Sequence, residues 1–295
     1  MSTAAIDLSR LPVPNVIEEL DYETIFAEQL ADLVERDSSF AGLQESDPAI
    51  KTLQVTAYRE LQVRQRVNEA ARAVMLAYAL DADLDNLGAW MDVPRLVITP
   101  ADPEKGTDAV MESNDDYRRR IQLAPQGFSV AGPEGAYIFH ALSADSRVLD
   151  AKPASPSPGK VVVTLLSRVG DGMASAELLA VVEKFLREGE LRPLTDYVLV
   201  QSADIVRYRV KATLITFKGP DASVALAEAQ RRCVKYVTES HRLGLSPSDS
   251  GFKAALHVEG VQRVELEEPG VLAISPTQAA YCTGIEIIHG GLYGE

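Results

Sequence analysis

The chain has 295 residues, 46% of them apolar and 24% charged, which is an ordinary globular composition with enough apolar mass for two or three domains. A net charge of −14 argues against a nucleic-acid surface, which needs a concentrated basic face. The two cysteines, Cys233 and Cys282, fall outside any C-x-x-C spacing and read as apolar fillers in a reducing compartment.

Residues 1–16 carry Pro12 and Pro14 and no period, so they read as an extended arm. This segment lacks the basic region and apolar core of a signal peptide, and no apolar run approaches membrane-spanning length. A soluble protein made in the cytoplasm is expected, with no membrane partner. Tyr22, Ile25, Phe26, Gln29, Leu30, Leu33 and Val34 then space as one face of a helix. Its acidic first turn (Glu18, Glu19, Asp21, Glu23) suits the helix dipole. Ser38 to Asp47 is a polar connector.

A long helix follows. Asp47 can cap it and Pro48 suits its first turn, and no Gly or Pro interrupts from Ile50 to Leu80. Ile50, Leu53, Ala57 and Leu61 mark one face. Continued, that face meets Arg64, Gln65 and Asn68, while a second stripe appears one step round at Val67, Ala71, Val74 and Tyr78. Buried amides and guanidinium groups cost a few kcal/mol each, roughly, unless paired. A partner helix would supply such pairing, as polar layers do in coiled coils; a half-exposed helix with Arg64 and Gln65 solvated fits the spacing equally well. Residues 1–58 hold eleven acidic and three basic residues, whereas Arg59, Arg64, Arg66 and Arg72 outnumber Glu60 and Glu69 along mid-helix.

A short helix is expected from Asp83 to near Met91. Asp81, Asp83, Asp85 and Asp92 match positions 1, 3, 5 and 12 of a calcium loop. Asn86 stands where that loop needs glycine, and Asp92 where it uses glutamate. Capping by Asp81 or Asp83 accounts for the same acids. Residues 93–112, with three prolines and Gly106, read as a linker. Ser113 to Asp116, close to a capping box, starts a helix through Leu123, and Pro133 starts another before Ser143. Arg118, Arg119 and Arg120 offer a binding patch or, more ordinarily, a solvated face.

The rest alternates strands and helices. Strands are expected at 147–151, 160–166, 197–200, 205–217, 261–266, 271–274 and 285–288, with a Pro-Ser turn over 153–159. Helices are expected from Ser175 to Glu188, from Asp221 to His241 and from Ser248 to Leu256. In the strand 205–217, Arg207, Arg209 and Lys211 share the face opposite Val206, Tyr208, Val210 and their apolar neighbours, so that face is solvated or covered by a partner.

Residues for chemistry are sparse. His140, His241, His257 and His289 are isolated, without H-E-x-x-H or metal-ligand spacing. Gly170-Asp171-Gly172 lacks the third glycine of a dinucleotide loop, and Ser175 caps the following helix instead. Neither a G-x-S-x-G elbow nor a P-loop occurs. No catalytic residue, metal or cofactor is expected.

Several separated segments carry a resemblance. They are Ala57-Tyr58-Arg59-Glu60, Leu61 to Ala70 (LQVRQRVNEA), Ala77-Tyr78-Ala79, Ala82-Asp83-Leu84-Asp85, Asp116 to Gln122 (DYRRRIQ) and Ala131 to Tyr137 (AGPEGAY). Further on come Ser155 to Gly159, His241-Arg242-Leu243-Gly244 and Gln278 to Gly284 (QAAYCTG). In that order, from about Pro14 onward, they resemble the baseplate J-like family, the wedge proteins of contractile phage tails and R-type pyocins. At Leu80-Asp81 the chain departs from the glycine on which the family's helix is expected to close, which leaves the helix end open.

The resemblance implies a structural wedge subunit without catalysis, assembled into a tail or pyocin baseplate. It implies a bundle with a second copy and with the smaller baseplate I-like protein. It also implies contacts with the lysozyme-like sheath-initiator protein and the central hub and spike. The fold expected is α+β: a long-helix, bundle-forming region (1–110) followed by two small sandwich-like α+β domains (111–203 and 204–295). The bundle interface expected comprises Leu53, Ala57, Leu61, Arg64, Asn68, Ala71, Val74 and Tyr78. Arg207, Arg209 and Lys211 are the expected contact between wedges, a basic strip on an acidic protein. The alternative is an enzyme of unrecognised type on the α+β half.

Overall fold

The structure, a computed structural model, describes residues 6–8, 11–129, 131–187, 193, 195–218 and 222–293. The chain is α+β and forms two compact units, Ala4–Arg95 with Ser113–Ile121, and Leu96–Glu112 with Gln122–Glu295.

In the first unit, α1 (Tyr22–Arg36) opens where the Asp21 carboxylate accepts the Thr24 N–H at 2.8 Å. A short 3-10 turn over Ser38–Gly42 occupies the expected connector. The long helix α2 (Pro48–Ala73) begins as expected, with Asp47 accepting from the Ala49 N–H at 2.9 Å. It ends at Ala73, short of Leu80. The cause lies outside the helix: the Arg118 guanidinium donates to Leu76 O at 2.7 Å and to Ala79 O at 2.8 Å. A helix carried through to Leu80 would spend the Leu76 carbonyl on its own ladder and deny it to Arg118. Val74 and Tyr78 therefore stand outside it.

The next helix, α3 (Asp81–Ala89), starts two residues before Asp83 and has no side-chain cap bond. The capping expected of Asp81 or Asp83 is replaced by their place in the first turn, where carboxylates suit the dipole. Asp81 takes a positive φ of 45° and trades two hydrogen bonds with the Asn114 side chain, at 3.1 and 3.2 Å. The helix α4 (Asn114–Gly127) is opened by Ser113 Oγ, which accepts the Asp116 N–H at 3.2 Å.

In the second unit the expected linker contains a small antiparallel ribbon, β1 (Val97–Thr99) with β2 (Val110–Met111). A first core gathers α5 (Glu134–Ala144), β3 (Val148–Ser157), β4 (Lys160–Ser167), α6 (Ala176–Leu186) and β5 (Tyr197–Ser202). The sheet order is β3-β4-β5, with β3 antiparallel and β5 parallel to β4. The apolar run of β4 lies between α5 and α6 on one side and its neighbours on either edge, and Val163, Leu165 and Leu166 are fully buried. The expected turn at 153–159 shrinks to residues 158–159, because β3 runs on through Pro153 and Pro156. Prolines fit there since β3 is an edge strand. Ser175 caps α6 through the Leu178 N–H at 3.2 Å, and the end expected at Glu188 lies outside the described residues.

A second core gathers β6 (Asp204–Thr216), α7 (Ala222–Ser240), α8 (Asp249–Leu256), β7 (Val261–Glu268) and β8 (Gln278–Leu292). Its sheet order is β7-β6-β8, with β7 antiparallel and β8 parallel to the central β6. Tyr208, Val210, Ala212 and Leu214 alternate inward against α7 and α8, as the β6 pattern requires. No strand forms at 271–274, where Leu272 and Ile274 pack on the core without pairing. The strand expected at 285–288 extends over Gln278–Leu292 instead. The expected cap Asp221 lies outside the described residues.

Candidate interaction surfaces

The first face of α2 is closed within the chain. Ile50 and Ala57 are buried, Leu53 and Leu61 half-buried, and α1 packs along them. The polar seam is satisfied there too. Asn68, 4% exposed, donates to Glu18 O at 2.9 Å and accepts the Glu18 N–H at 3.0 Å, so one amide replaces a missing ladder bond. Arg64 pairs with Glu60 at 2.6 Å, and Gln29 bridges Glu60 and Thr56 at 2.7 and 2.8 Å. The partner helix that the polar layer called for is therefore the chain's own α1 and the segment before it.

About a quarter-turn round, α2 leaves a different row bare. Val63 is 64% and Val67 55% exposed, and Ala70 and Val74 continue the row at helical spacing. Of the second stripe read from the sequence, Val67 and Val74 are open, whereas Ala71 and Tyr78 are half-buried. Four exposed apolar side chains in line have no internal function, and such stripes mark docking faces.

The arginine run turns inward. Tyr117, 1% exposed, donates its hydroxyl to Val93 O at 2.7 Å, and its ring lies under the Arg95 guanidinium at 4.5 Å from the centroid. Arg120 is buried and donates to Pro94 O at 2.6 Å. Arg118, besides its two carbonyls, pairs with Asp115 at 2.7 Å. Arg118 and Arg120 thus hold the turns that follow α2 and α3 in place. Of the aspartates weighed as a calcium loop, Asp81, Asp83 and Asp85 lie on α3 and Asp92 in the turn that follows it, and Asp85 is engaged by Arg95 at 2.6 Å. Melting curves recorded with excess calcium and with chelator should coincide; a shift of several degrees would show a bound ion.

On the second unit the outer face of the β7-β6-β8 sheet carries the expected basic strip. Every cation of it meets a carboxylate. Arg207 pairs with Asp171, Arg209 with Glu286 at 2.8 Å and Lys211 with Glu267 at 2.6 Å. Arg263 and Glu265 add a fourth pair at 2.7 Å. The strip is therefore neutral as a surface, and its charge gives no attraction to an acidic neighbour. Above these pairs, Phe217 and Tyr293 meet edge to face, 6.2 Å between centroids.

The segment His241-Arg242-Leu243-Gly244 joins the two cores of this unit. Arg242 donates to Leu149 O at 2.8 Å, and the Leu243 N–H reaches the buried Asp150 carboxylate at 3.0 Å. His241 Nδ1 lies 2.7 Å from Ala280 O, and the Gly244 N–H donates to Gln278 O at 2.9 Å. Leu166, Ala203, Leu243 and Ala279 close a small apolar cluster between them. Gly244 sits at φ 72°, which favours glycine.

The remaining reactive groups are each engaged singly. Burial pushes the Cys233 thiol up to about 11 and raises that of Cys282, so both stay protonated and unreactive at neutral pH. His140, its pKa lowered by burial, contacts Gly127 O at 3.1 Å, and His289 contacts Thr216 Oγ1 at 3.0 Å. Among the described residues no three His, Cys, Asp or Glu side chains gather as a metal site, and no helix is long and apolar enough to cross a membrane. An open groove of about 430 Å³ between α7 and α8 is lined by Arg231, Arg232 and Lys235, with Arg231 and Arg232 both paired to Glu228.

Residues 45–102 match the model of the Baseplate J-like N-terminal domain, and residues 129–202 that of the Baseplate J-like central domain. The chain is 50% identical over 296 residues to Baseplate protein J of Escherichia phage P2, covering 97% of this chain and 98% of that one. It also aligns with a chain in the cryo-EM structure of the anti-feeding prophage (AFP) baseplate, at 14% identity and a TM-score of 0.41. That alignment spans 59% of this chain and 43% of the other.

Proposed function

The chain belongs to the baseplate J-like family, and we propose that it is a structural wedge subunit in the baseplate of a contractile tail or R-type pyocin, with no catalytic role. In this reading it is made in the cytoplasm and ends up in the assembled particle. Its partners are a second copy, the baseplate I-like protein, the lysozyme-like sheath initiator and the central hub and spike.

The observation that carries the reading is the bare row Val63, Val67 and Ala70 on α2, continued by Val74 at the helix's C-cap, while the other face of α2 is already filled. Leu53, Ala57, Leu61, Arg64 and Asn68 then act indirectly, by fixing α2 against α1 so that the row stays presented. Ala71 and Tyr78 border it. The row offers a partner helix an apolar seam at i, i+4, i+7 and i+11. Helix-on-helix assembly of this kind needs no pocket and no reactive group.

Val67→Asp tests it. The side chain is exposed in the free chain, so the substitution should leave secondary structure and melting unchanged. In a packed seam the new carboxylate loses its water, a cost of several kcal/mol that weakens binding by about a hundredfold or more. Co-purification with the I-like partner should therefore fail. A variant that still binds at full affinity removes the row from the interface and the reading with it.

A further inference from the structure

We propose that the outer edge of β8, from Ile285 to His289, pairs antiparallel with the same edge of a second copy and joins the two β7-β6-β8 sheets into one of six strands. This deepens the proposed reading, on which it rests for the presence of more than one copy, by giving the contact between copies a surface.

The two three-stranded sheets have four edges, formed by β3, β5, β7 and β8. An open edge offers unpaired N–H and C=O groups to any extended chain, and stable proteins blunt it with proline, charge or a covering group. Three of the four edges here are blunted. The edge of β3 is capped at Leu149 O by Arg242 and then carries Pro153 and Pro156, which lack donors. That of β5 is short, and the Arg187 guanidinium donates to its Val198 O at 3.1 and 3.2 Å. The edge strand β7 bears Arg263, Glu265, Glu267 and Glu268 and stops at Pro269.

Among the described residues the fourth edge is uncovered over its central part. At 15 residues β8 is the longest strand among those described, and it contains no proline. Its first residues are covered, by Leu243 bridging Ala279 and Gly244 reaching Gln278 O. The register breaks opposite Tyr208–Val210 and again opposite Leu214–Thr216, so a regular stretch remains between them from Ile285 to His289. Its inward side chains Ile285 and Ile287 pack on the core yet stay half-exposed, and the outward Ile288 is 39% exposed. Among the described residues no backbone or side-chain hydrogen bond reaches the backbone of that edge between Ile285 and Ile288.

Two features select a second copy as the occupant. The first is charge. A chain of net charge −14 repels its own copy across most of its surface, but this sheet is neutralised by Arg207, Arg209, Lys211 and Arg263 paired to Asp171, Glu286, Glu267 and Glu265. The second is register. In an antiparallel pair related by a two-fold axis at Ile287, Ile287 faces its copy, Ile285 faces His289 and Glu286 faces Ile288. No like charges are opposed, and outward residues face outward ones. The basic strip thus has a function without being a basic surface: through Arg209 it cancels Glu286, the carboxylate on the pairing edge, while its other cations cancel carboxylates elsewhere on the same face.

Sedimentation velocity of the purified full-length chain, from micromolar to several hundred micromolar, tests the pairing. The wild type should show a concentration-dependent monomer–dimer equilibrium. Ile288→Lys should weaken it about tenfold or more, since the exposed position tolerates lysine and a charged edge resists pairing. Val169→Lys, at an exposed site elsewhere, should leave it unchanged. Should Ile288→Lys unfold, Ile287→Cys replaces it: opposed Cα atoms lie about 4.5–5.5 Å apart in such a pair, within disulfide reach, so oxidation should give a covalent dimer beyond any from the native cysteines. A wild type that stays monomeric throughout, or an Ile287→Cys chain that does not cross-link, overturns the proposal. So does a dimer that survives Ile288→Lys but is lost in Val67→Asp, which would place the contact on α2. No partner protein is present, so failure here leaves the reading of the I-like partner standing.

Discussion

Replacing Gly88 with alanine should unfold the first unit well before the second. A Cβ at that position would lie 1.9 Å from Tyr117 Oη, 2.6 Å from its Cζ and 2.9 Å from Val93 O. The tyrosine cannot move outward freely, because it is buried, its hydroxyl holds Val93 O and its ring lies under Arg95. Overpacking costs about 1–3 kcal/mol and a broken buried hydrogen bond about 1–3 more. The better helix propensity of alanine returns at most about 1 kcal/mol. A net loss of about 3 kcal/mol is expected, which in a unit of this size lowers Tm by roughly 10–20 °C. Hydrogen exchange of the α3 amides is the proper measurement, since it separates this unit from the other. The penalty should shrink in a Tyr117→Phe background, where the nearest atom of the clash is gone. Equal penalties in both backgrounds, or protection of α3 unchanged, would refute the packing argument.

That pair of residues also shows where the sequence is legible and where it is not. The start of α2 could be read because Asp47 and Pro48 act on their own neighbours. Its end could not, because Arg118 takes the carbonyls of Leu76 and Ala79 from about forty residues away. The polar layer of Arg64 and Asn68 was visible as a demand for partners, but spacing cannot say that the backbone of Glu18 meets it. In the same way Arg207, Arg209 and Lys211 read as a strip of free charge. Their carboxylates arrive on β7, β8 and the loop after β4, which no local pattern predicts. Pro153 and Pro156 suggest a turn locally, since a proline in a strand is tolerated only at an edge, and edge position is a property of the whole sheet. The motifs DYRRRIQ and HRLG carry, in sequence, a likeness to a family. Their physical role, inside this chain, is to fasten turns and to join two cores.

The joining segment gives the second large effect, at Asp150. This carboxylate is 4% exposed and accepts the N–H groups of Leu243 and Ala151, both at 3.0 Å. Asp150→Ala removes the acceptor and leaves two buried donors, each costing about 1–3 kcal/mol. The expected loss is about 3 kcal/mol, or roughly 6–12 °C in Tm for a unit of this larger size. The loss should be selective. Each core keeps its own sheet and helices, whereas the cluster of Leu166, Ala203, Leu243 and Ala279 opens to water. Amide exchange at Leu243 and Gly244 should therefore accelerate far more than in β4 or β6. Asp150→Asn, which keeps one carbonyl oxygen at nearly the same volume, should recover part of the stability. If alanine and asparagine cost the same, the carboxylate is not the acceptor that matters. If exchange rises evenly through both cores, the joint is not a separate element. The same geometry predicts that the two cores work as one body: a force applied at the β8 edge is carried through Leu243 and Asp150 into β3.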